Sequence, residues 1–364
     1  MFPAANIPAP AAPAPAVRST RLPLYLALAY LILISYASLY PFTNWRDLGV
    51  APLEFIDAAW PRYWTAFDLS VNVLVYLPLG FLLSLALRPL PGGRWSAATV
   101  AILLGGLLSL TVECLQNWLP TRVPSNIDIA CNVGGTTIGA VLAFCTGTRI
   151  FRRIGQLQQN LLAPIVHVEL GLVLLGMWLL TQSSPETLLF GAGDLRSVLQ
   201  LVPAVPYAAH SFFVIEAAVI TANTIVIGLF ARTLLADEAA PHLALIAFFV
   251  LALAIRTLAA AVLVDPQEAF AWLTPGARLG LLLGGVLLSL MMLLPAPMRI
   301  ALAGVALMAG TALVNLTPAN PYSEAALAAW RQGHFLNFNG LTRWVASLWP
   351  FVALPYLTAV ARRL

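Results

Sequence analysis

Apolar residues in this chain gather into long unbroken blocks. They show neither the strict alternation of a half-buried strand nor the narrow stripe of a surface helix. A bilayer core takes about 20 apolar residues per helix, and ten blocks reach or approach that length. They lie near residues 23–41, 68–88, 97–118, 127–147, 162–181, 206–232, 241–264, 277–295, 297–316 and 344–361, the eighth and ninth parted only by the PAPMR break. The pattern predicts an all-α, polytopic helical membrane protein with about ten transmembrane helices.

The polar exceptions cluster at block ends. Asp68 and Asn72 (FDLSVN) open the second block, Glu113 and Gln116 (VECLQNW) close the third, and Asp128 and Asn132 (SNIDIACNV) open the fourth. Spacings of three and four place each pair on one helix face. With alternating spans, all six side chains share one depth near one membrane surface. A charge facing lipid costs several kcal/mol, so such residues normally face the bundle interior or a wet cavity. One reading is therefore a common, outward-opening pocket. The competing reading is capping: Thr65-Ala-Phe-Asp68 and Ser125-Asn-Ile-Asp128 both fit the capping-box pattern. Capping leaves Asn72 and Asn132, a turn deeper, and Glu113 near a helix C-terminus without an explanation. TAFDLSVNV and SNIDIACNV also echo one another, each preceded by Asn-Trp (TNW, QNW), as two duplicated hairpins would. Gly134, Gly135 and Gly139 suit close helix approach, while Pro78 and Gly80 are expected to bend or thin the second helix.

Composition agrees with the membrane assignment. The 364 residues are 60% apolar and 9% charged, mean hydropathy is +0.86, and a soluble domain carries about 25% charged residues. All nineteen basic residues are Arg, the net charge is only +4, and no basic run suggests a nucleic-acid partner. Cys114, Cys131 and Cys145 all lie in apolar segments and read as buried thiols. No metal-ligand spacing or cofactor motif is present. The Pro/Ala-rich residues 1–21 read as a disordered tail. With the N-terminus cytoplasmic, eleven arginines fall inside, among them Arg149, Arg152, Arg153, Arg362 and Arg363, and seven outside. That bias places both termini in the cytoplasm.

Beyond residue 150, Glu216 in the sixth block and Arg256 in the seventh fall at matching depth, given 1.5 Å of rise per residue. An intramembrane ion pair is expected. The outer loop 317–343 carries Trp330, His334, Phe335, Asn337 and Asn339, readable as interfacial anchors or as contacts to a sugar or headgroup.

The three polar segments together resemble the VanZ-like domain. The matching positions are Asp68, Asn72, Pro78, Gly80, Glu113, Gln116, Arg122, Asp128, Asn132, Gly135 and Gly139, within about residues 30–145. Where the family pattern often carries a further acid, this chain has Ser125 and Asn126, which weakens a metal-binding acidic pair. The resemblance implies a bacterial inner-membrane protein, and the family's namesake is associated with resistance to the glycopeptide teicoplanin. The chain then divides into the tail, a four-helix VanZ-like domain at 22–149, and about six further helices at 150–364. Asp68, Asn72, Glu113, Gln116, Arg122, Asp128 and Asn132 are the candidate binding residues. Three functions follow: binding of a lipid-linked or glycan headgroup from the cell envelope, an enzyme acting on such a molecule, or an ion-coupled transporter. The expected partners are membrane lipids and lipid-linked or polysaccharide envelope components, with no cofactor.

The topology is testable. A phosphatase active only outside the cytoplasm, fused near Val123, is expected to be active; an inactive fusion would invert the orientation.

Overall fold

The computed structural model describes residues 20–47, 49–60, 64–184, 187–199, 208–263, 265–318 and 336–363. The expected disordered tail thus lies almost wholly outside the described residues, as do Trp330, His334, Phe335 and the side chains of Asn337 and Asn339. The described chain is helical, as the blocks predict: α1 (Leu22–Leu39), α2 (Ala66–Ala86), α3 (Gly93–Gln116), α4 (Asn126–Leu161), α5 (Val168–Thr181), a short α6 (Arg196–Leu199), α7 (Ala209–Leu234), α8 (Pro241–Leu263), α9 (Pro275–Met291), α10 (Ala296–Leu316) and α11 (Leu336–Ala361). Eight of these are long and apolar enough to span a bilayer; α5 and α9, at 14 and 17 residues, are shorter. This is a multi-pass membrane protein.

The helices form two groups. In the first, α4 packs against α2 and α3, and α1 leans on α2. In the second, α7 is central: 67% of its span is buried, more than in any other spanning helix. It packs chiefly on α9 and α10, while α11 joins α5 to α10. Aromatic rings fill the core of this second group, with Phe230 against Trp349 and Tyr356, and Trp178 against Phe190 and Phe248. The groups meet along α1, which touches α5 and α11. At one end of the molecule Arg21 N donates to Glu169 Oε1 (3.0 Å), and Tyr25 Oη lies 3.2 Å from His167 Nδ1. There too Ala163 N donates to Leu234 O and Ala236 N to Leu161 O.

The fourth helix exceeds its expected span. It runs for 36 residues, about 54 Å at 1.5 Å per residue, against about 30 Å of hydrocarbon. The apolar part ends at Gly147, and the helix continues as a polar rod to Leu161. The expected division at residues 149 and 150 falls inside it.

Backbone contact joins α2 to α4. The two run parallel, since Asn72 meets Asp128 near their N-terminal ends and Arg88 meets the Ala143 carbonyl near the other. A Cβ on Gly135 would collide with the Val73 carbonyl oxygen, one on Gly139 with that of Leu77, and one on Gly80 with that of Thr136. Any side chain would wedge the helices apart. Gly134 differs from the expectation, because a Cβ there meets nothing within 4 Å; it lies 100° around the helix from Gly135 and so misses the contact.

The intramembrane charges correct another expectation. Among the described residues, Glu216 and Arg256 form no ion pair with each other. Arg256 is buried and donates to the carbonyls of Ser184 and Thr187, just beyond the C-terminus of α5. The Glu216 carboxylate lies beside Thr274, the N-cap of α9, and abuts Gly276 in its first turn. Glu216 therefore sits at the N-terminus of α9, where its charge complements the dipole, and Arg256 instead binds the turn that follows α5. Matching depth did not bring the pair together because α7 packs on α9 and touches α8 only lightly. The non-helical stretch after α5 is also stitched down. Asn315 accepts from Leu195 N and donates to Gly193 O, while Gly193 N donates to Ala346 O. Backbone without such partners would be costly at membrane depth.

Two outcomes follow. Gly139→Ala is expected to destabilise the protein by about 1–3 kcal/mol through overpacking, whereas Gly134→Ala is expected to be neutral or mildly stabilising, both read as melting temperature in detergent. Exchanging the charges, Glu216→Arg with Arg256→Glu, is expected not to restore folded yield lost in either single variant; full rescue would contradict their separate roles.

Candidate functional site

The α2 entrance folds as the capping pattern dictates. Thr65 is the N-cap, and its Oγ1 accepts from Asp68 N (3.1 Å) and donates to Asp68 Oδ2 (2.6 Å). The Asp68 side chain stays at the exposed rim. One turn deeper, half-buried Asn72 donates through Nδ2 to Asp128 Oδ1 at 2.6 Å. Asp68 lies within electrostatic reach of Asp128. The acid of α2, its amide and the acid of α4 thus form one group.

The α4 entrance departs from the same pattern. Ser125 is the N-cap, yet its hydroxyl makes no capping bond. Its backbone N–H is taken instead by Glu113 Oε2 at 2.8 Å. In a capping box the acid three residues on serves that N–H; here a buried acid from α3 does so across the helix interface. This leaves Asp128 available to Asn72. It also explains a carboxylate near the α3 C-terminus, because Glu113 serves the positive end of α4.

The remaining candidates have structural partners. Gln116 Nε2 donates to Ser38 O (3.0 Å), and Arg122 reaches the carbonyls of Ala37 (3.3 Å) and Tyr40 (3.2 Å). Together they hold the C-terminal end of α1 against α3 and the following loop. Burial pushes the Arg122 guanidinium below its ordinary value, and the neighbouring Glu113 carboxylate opposes that shift. Asn132 Nδ2 donates to Ser109 Oγ at 2.9 Å. Beside Ser109 and Glu113 lies the buried Tyr76 hydroxyl. Tyr76 Oη, Asn132 Oδ1 and Ser125 Oγ are buried without a hydrogen-bond partner among the described residues.

The seven candidates therefore separate into a half-open group (Asp68, Asn72, Asp128), a buried group (Glu113, Gln116, Asn132) and the part-buried Arg122 turned toward α1. Among the described residues no three acid, His or Cys side chains are placed to hold a metal ion together. The carboxylates descend as a string from the rim inward. Ser109 and Tyr76 escaped the sequence reading, although Ser109 stands four residues before Glu113 and Tyr76 four after Asn72, each on its neighbour's face.

The segment between α1 and α2 carries a 3-10 turn at Glu54–Ile56 and is pinned to the α3–α4 connection. Arg46 N donates to Trp118 O (3.0 Å), Asn117 Nδ2 to Pro52 O (3.0 Å) and Asn126 Nδ2 to Ala58 O (2.7 Å). Phe55 is buried beneath it. Trp60, Trp64 and Phe67 stay exposed, Phe67 beside Asp68 at 75%.

Comparison with known proteins finds one family. Residues 23–152 match the VanZ/LLP1 family model, a segment that runs from α1 well into α4 and holds every residue of the acid and amide set. No curated protein and no solved structure matches the chain. The N-terminal third of this membrane protein is a VanZ-like domain, and the helices from α5 onward are an addition to it.

Proposed function

We propose that this protein binds the polar headgroup of a lipid-linked or glycan component of the bacterial envelope, at the outer face of the cytoplasmic membrane. The observation that carries the reading is the Asn72–Asp128 hydrogen bond at 2.6 Å. It orients one carboxylate oxygen of Asp128 toward α2 and leaves the other as an acceptor beside Asp68. Carboxylates and amides presented at a half-open rim suit a ligand rich in hydroxyl or amine donors. The exposed Trp60, Trp64 and Phe67 suit the membrane–water boundary, where such rings concentrate, and support a rim at headgroup level. Glu113, Gln116 and Arg122 act indirectly, by fixing the α4 entrance and the α1 end around that rim. The transport alternative, suggested by the ten helices, the internal echo and the Glu216–Arg256 pair, loses the last of these, and no arrangement of the carboxylates favours catalysis over binding.

Full-length protein in detergent, titrated with phosphatidylethanolamine, phosphatidylglycerol and a polyprenyl-linked saccharide, provides the test. At least one is expected to raise the melting temperature, by the equivalent of about 2.7 kcal/mol at a hundredfold excess over Kd. Asp128→Asn, which keeps the side-chain volume, is expected to melt normally alone and to lose that response. An unchanged response in Asp128→Asn, or none in the parent, would overturn the reading.

A further inference from the structure

Between α2, α3 and α4 the chain buries a cluster of oxygens that the rim does not use. Asn132 donates through Nδ2 to Ser109 Oγ at 2.9 Å. The Tyr76 hydroxyl lies beside Ser109 and within electrostatic reach of Glu113. One turn along α3 from Ser109, Glu113 Oε2 accepts from Ser125 N at 2.8 Å. Ser109, Tyr76, Glu113 and Asn132 are 0%, 3%, 4% and 5% exposed. Tyr76 Oη and Asn132 Oδ1 nevertheless lack a hydrogen-bond partner among the described residues.

The chemistry of this cluster is one-sided. Asn132 Oδ1 can only accept, and its amide nitrogen is already spent on Ser109. The two hydroxyls can turn lone pairs inward, and an ionised carboxylate is acceptor-only. Nearly all buried polar atoms in native proteins find a partner, and a buried carboxylate is normally met by opposite charge. Among the described residues Glu113 forms no ion pair. Asp128 and Arg122 both lie within electrostatic reach of it, one of each sign, so the guanidinium is not a dedicated counter-ion.

We infer that this cluster is a binding site for a single sodium ion, held between α2, α3 and α4 by oxygens of Tyr76, Ser109, Glu113 and Asn132. Carboxylate, amide and hydroxyl oxygens are hard ligands that suit hard cations, and one acid is enough for a monovalent ion. A divalent ion would leave excess charge in the interior. The helices are tightly packed one turn below: a Cβ on Gly135 would strike the Val73 carbonyl, and one on Gly105 the Thr136 side chain. That closeness favours sodium over the larger potassium. The ion would tie three helices together beneath the Asn72–Asp128 bond. The inference stands independently of the headgroup reading.

Full-length protein in detergent is melted in the chlorides of sodium, potassium and N-methyl-D-glucamine at equal ionic strength. Sodium is expected to raise the melting temperature saturably, potassium with an affinity weaker by about tenfold or more, and the organic cation not at all. Tyr76→Phe keeps the ring and is expected to weaken the sodium midpoint by about tenfold while melting like the parent in N-methyl-D-glucamine. Glu113→Gln can still accept from Ser125 N and is expected to lose the sodium response. Melting temperatures that are equal in all three salts overturn the inference and leave water as the partner of these oxygens. A sodium response unchanged in Tyr76→Phe or in Glu113→Gln overturns it as well. The lipid and saccharide titration, repeated in N-methyl-D-glucamine, decides the headgroup reading separately.

Discussion

The VanZ-like domain depends on how closely α2 and α4 approach. At Gly80, Gly135 and Gly139 one helix lies directly on carbonyls of the other, a distance that no side chain permits. In lipid, where apolar tails are as hydrophobic as Leu, such packing supplies association that the hydrophobic effect does not. It also sets the register in which Asn72 meets Asp128. The polar group at the rim is a product of that contact. A wider α2–α4 spacing would leave the amide and the carboxylate to separate water molecules.

Much of this was legible in the sequence. The ten apolar blocks became ten apolar helices, and at their ends Asn72 meets Asp128 while Glu113 reaches the backbone of Ser125. The echo between TAFDLSVNV and SNIDIACNV acquired a physical meaning, since the two segments begin parallel helices that touch. What local reasoning could not resolve was which partner each polar group takes. Thr65 and Ser125 head similar motifs; only Thr65 caps, because Glu113 reaches the backbone of Ser125 from another helix. A pattern confined to one segment carries no information about an acid twelve residues earlier on a neighbour.

The same limit applied to Glu216 and Arg256. Depth in the bilayer is readable from residue counting, but facing is set by which helices pack. Consecutive helices were assumed to be neighbours, while α7 in fact lies on α9. Glu216 then found a helix N-terminus, the other source of compensating charge at that depth, and Arg256 two backbone carbonyls. This gives the added region a shared construction. Of its two shortest apolar helices, α9 has its first turn beside buried Glu216, and α5 is followed by a turn whose carbonyls accept from buried Arg256.

The long α4 has a mechanical implication. Its first turn carries Asp128 at the rim, and its last residue, Leu161, accepts a hydrogen bond from Ala236 just past α7. No proline interrupts it. An unbroken helix of about 54 Å behaves as a stiff lever with its pivot at the glycine contact on α2. Tilting the end that carries Asp128 by about 5° would swing the opposite tip by several ångströms, the scale of a helix shift at an interface. The rim at one end of α4 is thereby geared to the seam between the two groups of helices at its other end.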